Sequence, residues 1–404
     1  MKIILLSGGS GKRLWPLSNN QRSKQFIKIL CDDNGKLESM VQRVWRQLAT
    51  LGLEDDVFIA TSESQRSILK SQLNINDNQI ITEPSRRDTF PAIALAVSYL
   101  KTIILAEKDE TIVVLPVDPY VKRSFFEKIM DLEELLNKEK ADLGLIGIAP
   151  TYPSEKYGYI VPNSIGSNQV YSFTEKPSEE EAKVLIDKGA VWNAGVFAFK
   201  LKTILEALQS NGYPVDYFEL LKEYGKLPKN SFDFEFVEKQ NNISFLRYSG
   251  CWKDLGTWNT LIEEMESSTV GPVETIDVTD THIVNESELP VAAIGTSNLI
   301  IAVGPEGILV STKEASPRVK EIDNNYFETI NYIEEDWGVR HTLHKSSKSE
   351  ATHYRIRDGK KIHLDLQINE RIIRLSGEGT ISSNKLSYDI LGHDEFNFVV
   401  VTES

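Results

Sequence analysis

Residues 1–26 read MKIILLSGGSGKRLWPLSNNQRSKQF, and the change of texture inside this stretch decides the fold. A short apolar run, Lys2-Ile3-Ile4-Leu5-Leu6, stops at Ser7-Gly8-Gly9-Ser10-Gly11. Two cations follow at once, Lys12 and Arg13, and a third, Lys24, comes after a Trp-Pro segment. Physically this is a buried strand feeding a glycine loop, with positive charge just beyond it. Glycines let backbone N–H groups approach an anion with no Cβ in the way, and successive N–H groups form a concave nest for phosphate. A plain strand-to-helix turn with solvated cations fits the same residues equally well. The spacing is neither the P-loop, since no Ser or Thr follows the Gly-Lys pair, nor the dinucleotide GxGxxG.

The chain around this stretch has 404 residues, enough for two or three domains. Its 41% hydrophobic and 26% charged content is that of a globular protein. A formal net charge of −14 argues against general binding to nucleic acid or to an anionic membrane, while leaving room for a local basic site. Cys31 and Cys251 are far apart and make no metal-ligand pattern, which suits a reducing compartment. The opening apolar run covers only five residues and no small-residue cleavage site follows it. No signal peptide or membrane span is expected, and the expected location is the cytoplasm.

Helical spacing is present over 38–51, 64–73, 92–105, 179–188 and 202–223, and short apolar strands over 57–60, 80–81, 111–115 and 143–148. Strands of β-branched residues alternating with helices predict an α/β sheet, parallel and covered on both faces. From Tyr157 the strands are mixed in pattern, predicting an antiparallel or mixed part of the same sheet. Helical period nearly vanishes over 271–322, where one β segment falls about every ten residues, consistent with a small β-solenoid. The remainder is β-rich and carries five of the six histidines. The expected domains are residues 1–265, 266–325 and 326–404.

Four further motifs bear chemistry. Asp118 closes Leu115-Pro116-Val117-Asp118, directly after an apolar strand, where open α/β sheets bind ligands. Asp254 lies in Trp252-Lys253-Asp254-Leu255-Gly256-Thr257-Trp258. Each Asp can equally be a turn or helix-cap residue. Two carboxylates together with phosphate oxygens are the usual way to hold Mg2+. Glu175-Lys176-Pro177 follows a strand, and Trp192-Asn193-Ala194-Gly195 precedes one.

In this order and spacing, these stretches resemble the sugar-1-phosphate nucleotidyltransferases, and most of all the mannose-1-phosphate guanylyltransferases among them. The opening signature, 83–92 (EPSRRDTFPA), LPVD, YGYI at 157–160, FTEKP, WNAGVFAF, 231–238 and WKDLGTW carry the resemblance, over about residues 1–335. It implies a Rossmann-like (GT-A-like) mixed sheet with helices on both faces, then the solenoid-like domain and the short β-rich module. It also implies in-line attack of mannose 1-phosphate on the α-phosphorus of GTP, giving GDP-mannose and diphosphate. By resemblance, Leu6, Ser7, Gly8 and Gly9 hold the nucleotide, and Glu83, Thr89, Pro91 and Ala92 read its base. Arg13 and Lys24 offset the charge of the triphosphate and the leaving pyrophosphate. Tyr157, Gly158, Glu175, Lys176 and Asn193 take the sugar phosphate, and Asp118 and Asp254 ligate Mg2+. No histidine precedes His282, so residues 1–265 offer no His base, and an ionised phosphate nucleophile needs none.

Two departures stand out. Pro119 occupies the place where the family usually has His, and Ser23 the place where it has Pro. Longer relatives fuse a metal-binding cupin isomerase. Here 336–338, 364–367 and 375–380 only faintly resemble its start, and Ile368-Asn369-Glu370-Arg371 stands where clustered histidines are expected. A shortened, metal-free remnant packing on the body or on a partner subunit is expected, which leaves room for a homodimer. The competing functions are transfer of another nucleotide or sugar such as a manno-heptose phosphate, a non-catalytic nucleotide-sugar sensor, and a bifunctional isomerase.

Overall fold

The computed structural model of the chain describes residues 1–9, 12–164, 166–322, 325 and 330–403. Two units divide the chain. The first comprises Met1–Gly8, Arg43–Glu63 and Ile75–Asp254; the second comprises Gly9–Gln42, Ser64–Asn74 and Leu255–Ser404.

The first unit is built on a nine-stranded sheet. Lys2–Ser7 is central, parallel to Thr111–Pro116 on one side and to Val57–Ser62 on the other. Ile80–Glu83 extends the sheet in parallel beyond Val57–Ser62. The order reverses at the opening strand, because the next two strands in sequence go to one side and Thr111–Pro116 to the other. In such sheets the crevice for a ligand lies at the carboxyl ends of the strands flanking that reversal. Ile3, Ile4, Leu5, Val113 and Val114 are fully buried, which is what a β-branched strand covered on both faces requires.

Beyond Thr111–Pro116 the sheet turns mixed, as the texture from Tyr157 predicts. Val191–Lys200 runs antiparallel to Thr111–Pro116, to Leu143–Ile148 and to Tyr159–Pro162, while Ile243–Tyr248 lies parallel to Leu143–Ile148. The helix over Thr89–Thr102 is buried from Phe90 to Leu100, including Ile93, Leu95, Val97 and Leu100. Each such side chain contributes about 1.5–3 kcal/mol by leaving water. The predicted helix over 202–223 is two helices, Leu201–Ser210 and Tyr217–Glu223. Gly212, at φ +76°, ends the first, and Asp216 starts the second by accepting from Phe218 N and Glu219 N.

In the second unit, 269–312 forms parallel ladders. Val273 pairs Val291 and His282 pairs Ile300, a step of 18 residues in each case. That is the coil of a solenoid with two strands per turn, and it closes on the antiparallel strand Gly307–Thr312. Gly271 makes the stacking feasible: its φ is +85° and a Cβ there would lie 1.9 Å from the Asn285 carbonyl oxygen. Residues 332–403 form a six-stranded antiparallel sheet around Ile356, Ile390, Phe396 and Phe398, all fully buried. His341 and His353 face each other across two of its strands. Among the described residues, no helix is long and apolar enough to cross a membrane.

Candidate active site

Ser7 ends the opening strand, and its carbonyl accepts from Thr61 Oγ1 at 2.9 Å. Gly8 follows, exposed, and a Cβ placed on it would meet nothing within 4 Å. Its backbone is therefore open to a close-packed anion. Leu6 registers with Pro116, and Val117 N donates to Leu6 O at 3.3 Å. This bond carries the LPVD segment past the glycine turn and leaves Asp118 half-buried at the carboxyl end of the sheet.

Asp118 and Asp254 come together although 136 positions separate them. Pro119–Val121 and Trp252–Asp254 form a two-stranded antiparallel ladder in which Asp254 partners Pro119. Asp118 immediately precedes the residue that pairs with Asp254, so the two residues occupy neighbouring backbone positions at one end of that ladder. Asp254 ends a strand; the helix Trp258–Ile262 is capped by Thr257. Proline suits position 119, where a short edge ladder tolerates a missing N–H donor. Two carboxylates fit Mg2+, which keeps several waters and is completed by substrate phosphate oxygens. Among the described residues, no group of three or more His, Cys, Asp or Glu side chains is arranged to cage a metal.

A polar cluster lies at the same end of the sheet, because Val191–Lys200 runs antiparallel to Thr111–Pro116 and brings its first residues past Pro116. Asn193 falls inside Val191–Lys200, at a register shift between residues 193 and 197, and not ahead of the strand as its sequence suggests. Its N–H donates to Gly158 O at 2.8 Å, and its amide Nδ2 donates to Asp233 Oδ1 at 2.9 Å. The Glu175 side chain is buried and pairs with Lys176 at 2.7 Å, while the Lys176 side chain is half-exposed and its backbone strained at φ +46°. Burial, with Lys176 opposing it, raises the Glu175 carboxyl above the usual carboxylate range. Burial and then Glu175 push Asp233 up as well. Asp233 has no assigned role in the sequence reading, although it lies within the 231–238 motif. Gly158 is squeezed: a Cβ there would sit 2.6 Å from Glu175 Oε2 and 2.7 Å from Phe173 Cζ. Tyr157 packs on Trp192 at 4.8 Å and on Trp252 at 5.5 Å between ring centroids, forming an aromatic wall.

Glu83 ends its strand with its carboxylate buried and bonded to the Tyr224 hydroxyl. Burial pushes its pKa up to about 7, against the pull of the Tyr224 hydrogen bond and Arg86. Thr89 is committed to a long-range bond: its Oγ1 accepts from Phe232 N at 2.8 Å. Pro91 and Ala92 are buried in the first turn of the helix that Asp88 caps.

Leu6, Ser7, Gly8, Glu83, Thr89, Pro91, Ala92, Asp118, Tyr157, Gly158, Glu175, Lys176, Asn193 and Asp254 belong to the first unit, and Gly9, Arg13 and Lys24 to the second. Arg13 is exposed, and Lys24 opens the single turn Lys24–Phe26 with its Nζ 3.5 Å from Leu255 O. Ser23, where relatives have Pro, is buried and accepts from Gln65 Nε2 at 2.8 Å, so a hydrogen bond replaces the ring as the restraint ahead of Lys24.

The nucleotidyl transferase family model matches residues 2–270, which is the whole of this sheet and its motifs. The chain belongs to the nucleotidyl transferase family. Within the family, the chain is 32% identical over 353 residues to a mannose-1-phosphate guanylyltransferase of Escherichia coli, covering 79% of this chain and 74% of that one. It is 27% identical over 424 residues to the alginate biosynthesis protein AlgA of Pseudomonas aeruginosa, covering 95% and 86% respectively. Among solved structures, a mannose-1-phosphate geranyltransferase from Thermus thermophilus superposes with a TM-score of 0.64 at 28% identity, covering 80% of this chain and 98% of that one. The family membership accounts for the parallel-dominant mixed sheet and for the order of its motifs.

Proposed function

We propose that the chain joins GTP and α-D-mannose 1-phosphate to give GDP-mannose and diphosphate. The observation that carries this reading is the ladder that sets Asp118 beside Asp254, at the end of the sheet where Ser7 and Gly8 leave open backbone. Similarity to the guanylyltransferases supports the choice of substrates.

A phosphate oxygen of the sugar phosphate attacks the α-phosphorus in line. The bond from the α-phosphorus to the bridging oxygen breaks, and pyrophosphate leaves with the electron pair. The protein's task is positioning and charge neutralisation. Ser7 and Gly8 present backbone to the nucleotide, with Leu6 and Gly9 on either side. Arg13 and Lys24 are assigned the charge of the triphosphate and of the departing pyrophosphate. Glu175 and Asn193 accept and donate to sugar hydroxyls, Lys176 pairs with the sugar phosphate, and Tyr157 with Gly158 shapes that pocket. Asp118 and Asp254 would hold Mg2+, which supplies Lewis-acid stabilisation of phosphoryl oxygens when bound.

The buried carboxylate of Glu83 is assigned to the guanine edge, whose N–H groups need an acceptor. A group titrating at about 7 is protonated below that pH and loses acceptor capacity there. The KM for GTP is therefore expected to rise as pH falls through 7. Glu83→Gln should flatten that rise relative to wild type, and a parallel pH profile for the two proteins would remove Glu83 from base recognition. Gly158→Ala drives a methyl into Glu175 Oε2. Loss of a hydrogen bond to a charged group costs roughly 1.5–3 kcal/mol, so the KM for mannose 1-phosphate should rise about 10- to 100-fold with the KM for GTP unchanged. Equal effects on both constants would mean that the pocket is misplaced.

A panel of triphosphates and sugar 1-phosphates, scored by pyrophosphate release, tests the specificity. GTP with mannose 1-phosphate should give the highest kcat/KM. A higher value for another pair, a manno-heptose 1-phosphate included, would overturn the substrate assignment. Pro119 beside Asp118 makes that alternative worth a place in the panel.

A further inference from the structure

The second unit contains a network that the transfer reaction does not itself call for. Arg22, two residues before Lys24, is 5% exposed. Its guanidinium forms a two-pronged pair with Glu286 of the solenoid, Nη1 to Oε2 at 2.6 Å and Nη2 to Oε1 at 2.8 Å. Nη1 also donates to Leu17 O at 3.1 Å, and the ring of Tyr332 lies 5.1 Å from Cζ. Asn19 supports the same bend. Its Oδ1 accepts from Gln21 N and Arg22 N, and its Nδ2 donates to Glu306 Oε1 at 2.7 Å and to Tyr332 O at 2.9 Å. Upstream, Trp258 Nε1 donates to Trp15 O, and a Cβ on Gly304 would lie 2.6 Å from Pro16 O.

The far end of the segment is held by Gln72, at the end of the helix Glu63–Gln72, which Glu334 of the first strand of the C-terminal sheet supports from behind. Gln72 Nε2 donates to Phe26 O at 2.9 Å and also reaches Glu334 Oε2 at 3.4 Å. Glu334 Oε1 accepts from Ser71 Oγ at 2.9 Å and from Arg357 Nη2 at 3.0 Å, with Lys28 Nζ at 3.8 Å. Lys24 therefore sits midway on a segment pinned at residues 19–22 by the solenoid and at 26–28 by Gln72 and Lys28, both of which meet Glu334 of the C-terminal sheet. A planar fork gripped by one carboxylate fixes direction as well as distance, which a surface ion pair does not.

We propose that the solenoid and the C-terminal sheet serve as a brace for the lysine-bearing segment, with Glu286 and Glu334 as positioning residues that fix Lys24 for phosphoryl chemistry. The proposal rests on the guanylyl-transfer reading for the role of Lys24, and it gives residues 332–403 a task that needs no chemistry of their own.

The test uses the full chain with Glu286→Gln and Glu334→Gln, each close in shape to the original and each removing one charge. Pyrophosphate release gives kcat and both KM values, and hydrogen exchange over residues 12–28 gives the order of the segment without reference to turnover. A misplaced catalytic group can cost up to about 100-fold. Each variant should lose roughly 10- to 100-fold in kcat, keep the KM for mannose 1-phosphate, and exchange faster over 12–28 while 111–116 stays protected. Arg22→Lys, which keeps charge but not the fork, should behave like Glu286→Gln. Wild-type kcat and exchange in both variants, or a lowered melting temperature as the sole change, would overturn the brace. If wild type itself released no pyrophosphate, the transfer reading would fail by itself. Exchange would still decide the brace: faster over 12–28 supports it, and unchanged protection overturns it.

Discussion

Asp118→Asn is expected to lower kcat by about 10²–10³-fold, the scale attached to losing a preorganised charge at a phosphoryl site. The fold should survive, because Asp118 lies outside the apolar strand that precedes it. That strand is secured by the buried Ile112–Leu115 stretch and by Val117 N bonding to Leu6 O. The substitution is nearly isosteric and removes one negative charge from a pair that stands at neighbouring positions of the 119–121 and 252–254 ladder. Asp254→Asn should fall by a similar factor, and the double variant by less than the product of the two, because residues that serve one centre are not additive. Pyrophosphate release at saturating substrates, beside thermal melting, checks this. A wild-type rate in Asp118→Asn would take that carboxylate out of the mechanism.

Lys24→Met is the second large effect. The side chain keeps its length and apolar stem and loses the ammonium. The turn that bears it should remain, since Gln25 and Phe26 are buried and Gln72 still reaches Phe26 O. With no cation to meet the charge on the leaving pyrophosphate, kcat should drop about 10²–10³-fold. The KM for mannose 1-phosphate should hardly move, because Glu175, Lys176 and Asn193 are carried by other elements. Lys24→Arg should recover only part of the rate, since a planar guanidinium does not replace a compact ammonium point for point. If Lys24→Met instead raised the sugar-phosphate KM and spared kcat, the lysine would be a binding group for the sugar phosphate.

Much of the first sheet is legible in the residues because its determinants are local. A five-residue apolar run before glycines, the strand at 111–115 and the helix through Ala92–Leu100 each announce themselves by period and composition. The solenoid is legible as a rhythm of short β segments, although its 18-residue step emerges only when Val273 and Val291 are seen side by side. Long-range pairings leave no such trace. The register shift that places Asn193 within a strand depends on Gly147 and Leu145 opposite it. The bond from Tyr224 to Glu83 joins positions 141 residues apart, and the grip of Glu286 on Arg22 spans 264.

The departures from the family pattern have local physical accounts. Ser23 lacks the ring that would restrain the backbone before Lys24, and Gln65 holds its hydroxyl instead. Pro119 opens the edge ladder that brings Asp118 to Asp254, a place where a missing N–H is tolerated. Asp233 is the residue that motif reading left without a task, because its significance comes from the Asn193 amide and from burial beside Glu175. Neither is visible until the 231–238 stretch is folded against the mixed strands.

The central claim is tested most directly by phosphorus NMR of GTP, mannose 1-phosphate and Mg2+ with the wild-type chain. Guanylyl transfer predicts that the GTP resonances and the sugar-phosphate resonance decline together. In their place should grow the paired signals of a nucleoside diphosphate sugar and, in equal amount, the singlet of diphosphate. Release of inorganic phosphate and GDP with the sugar phosphate untouched, or a spectrum that does not change, would contradict it.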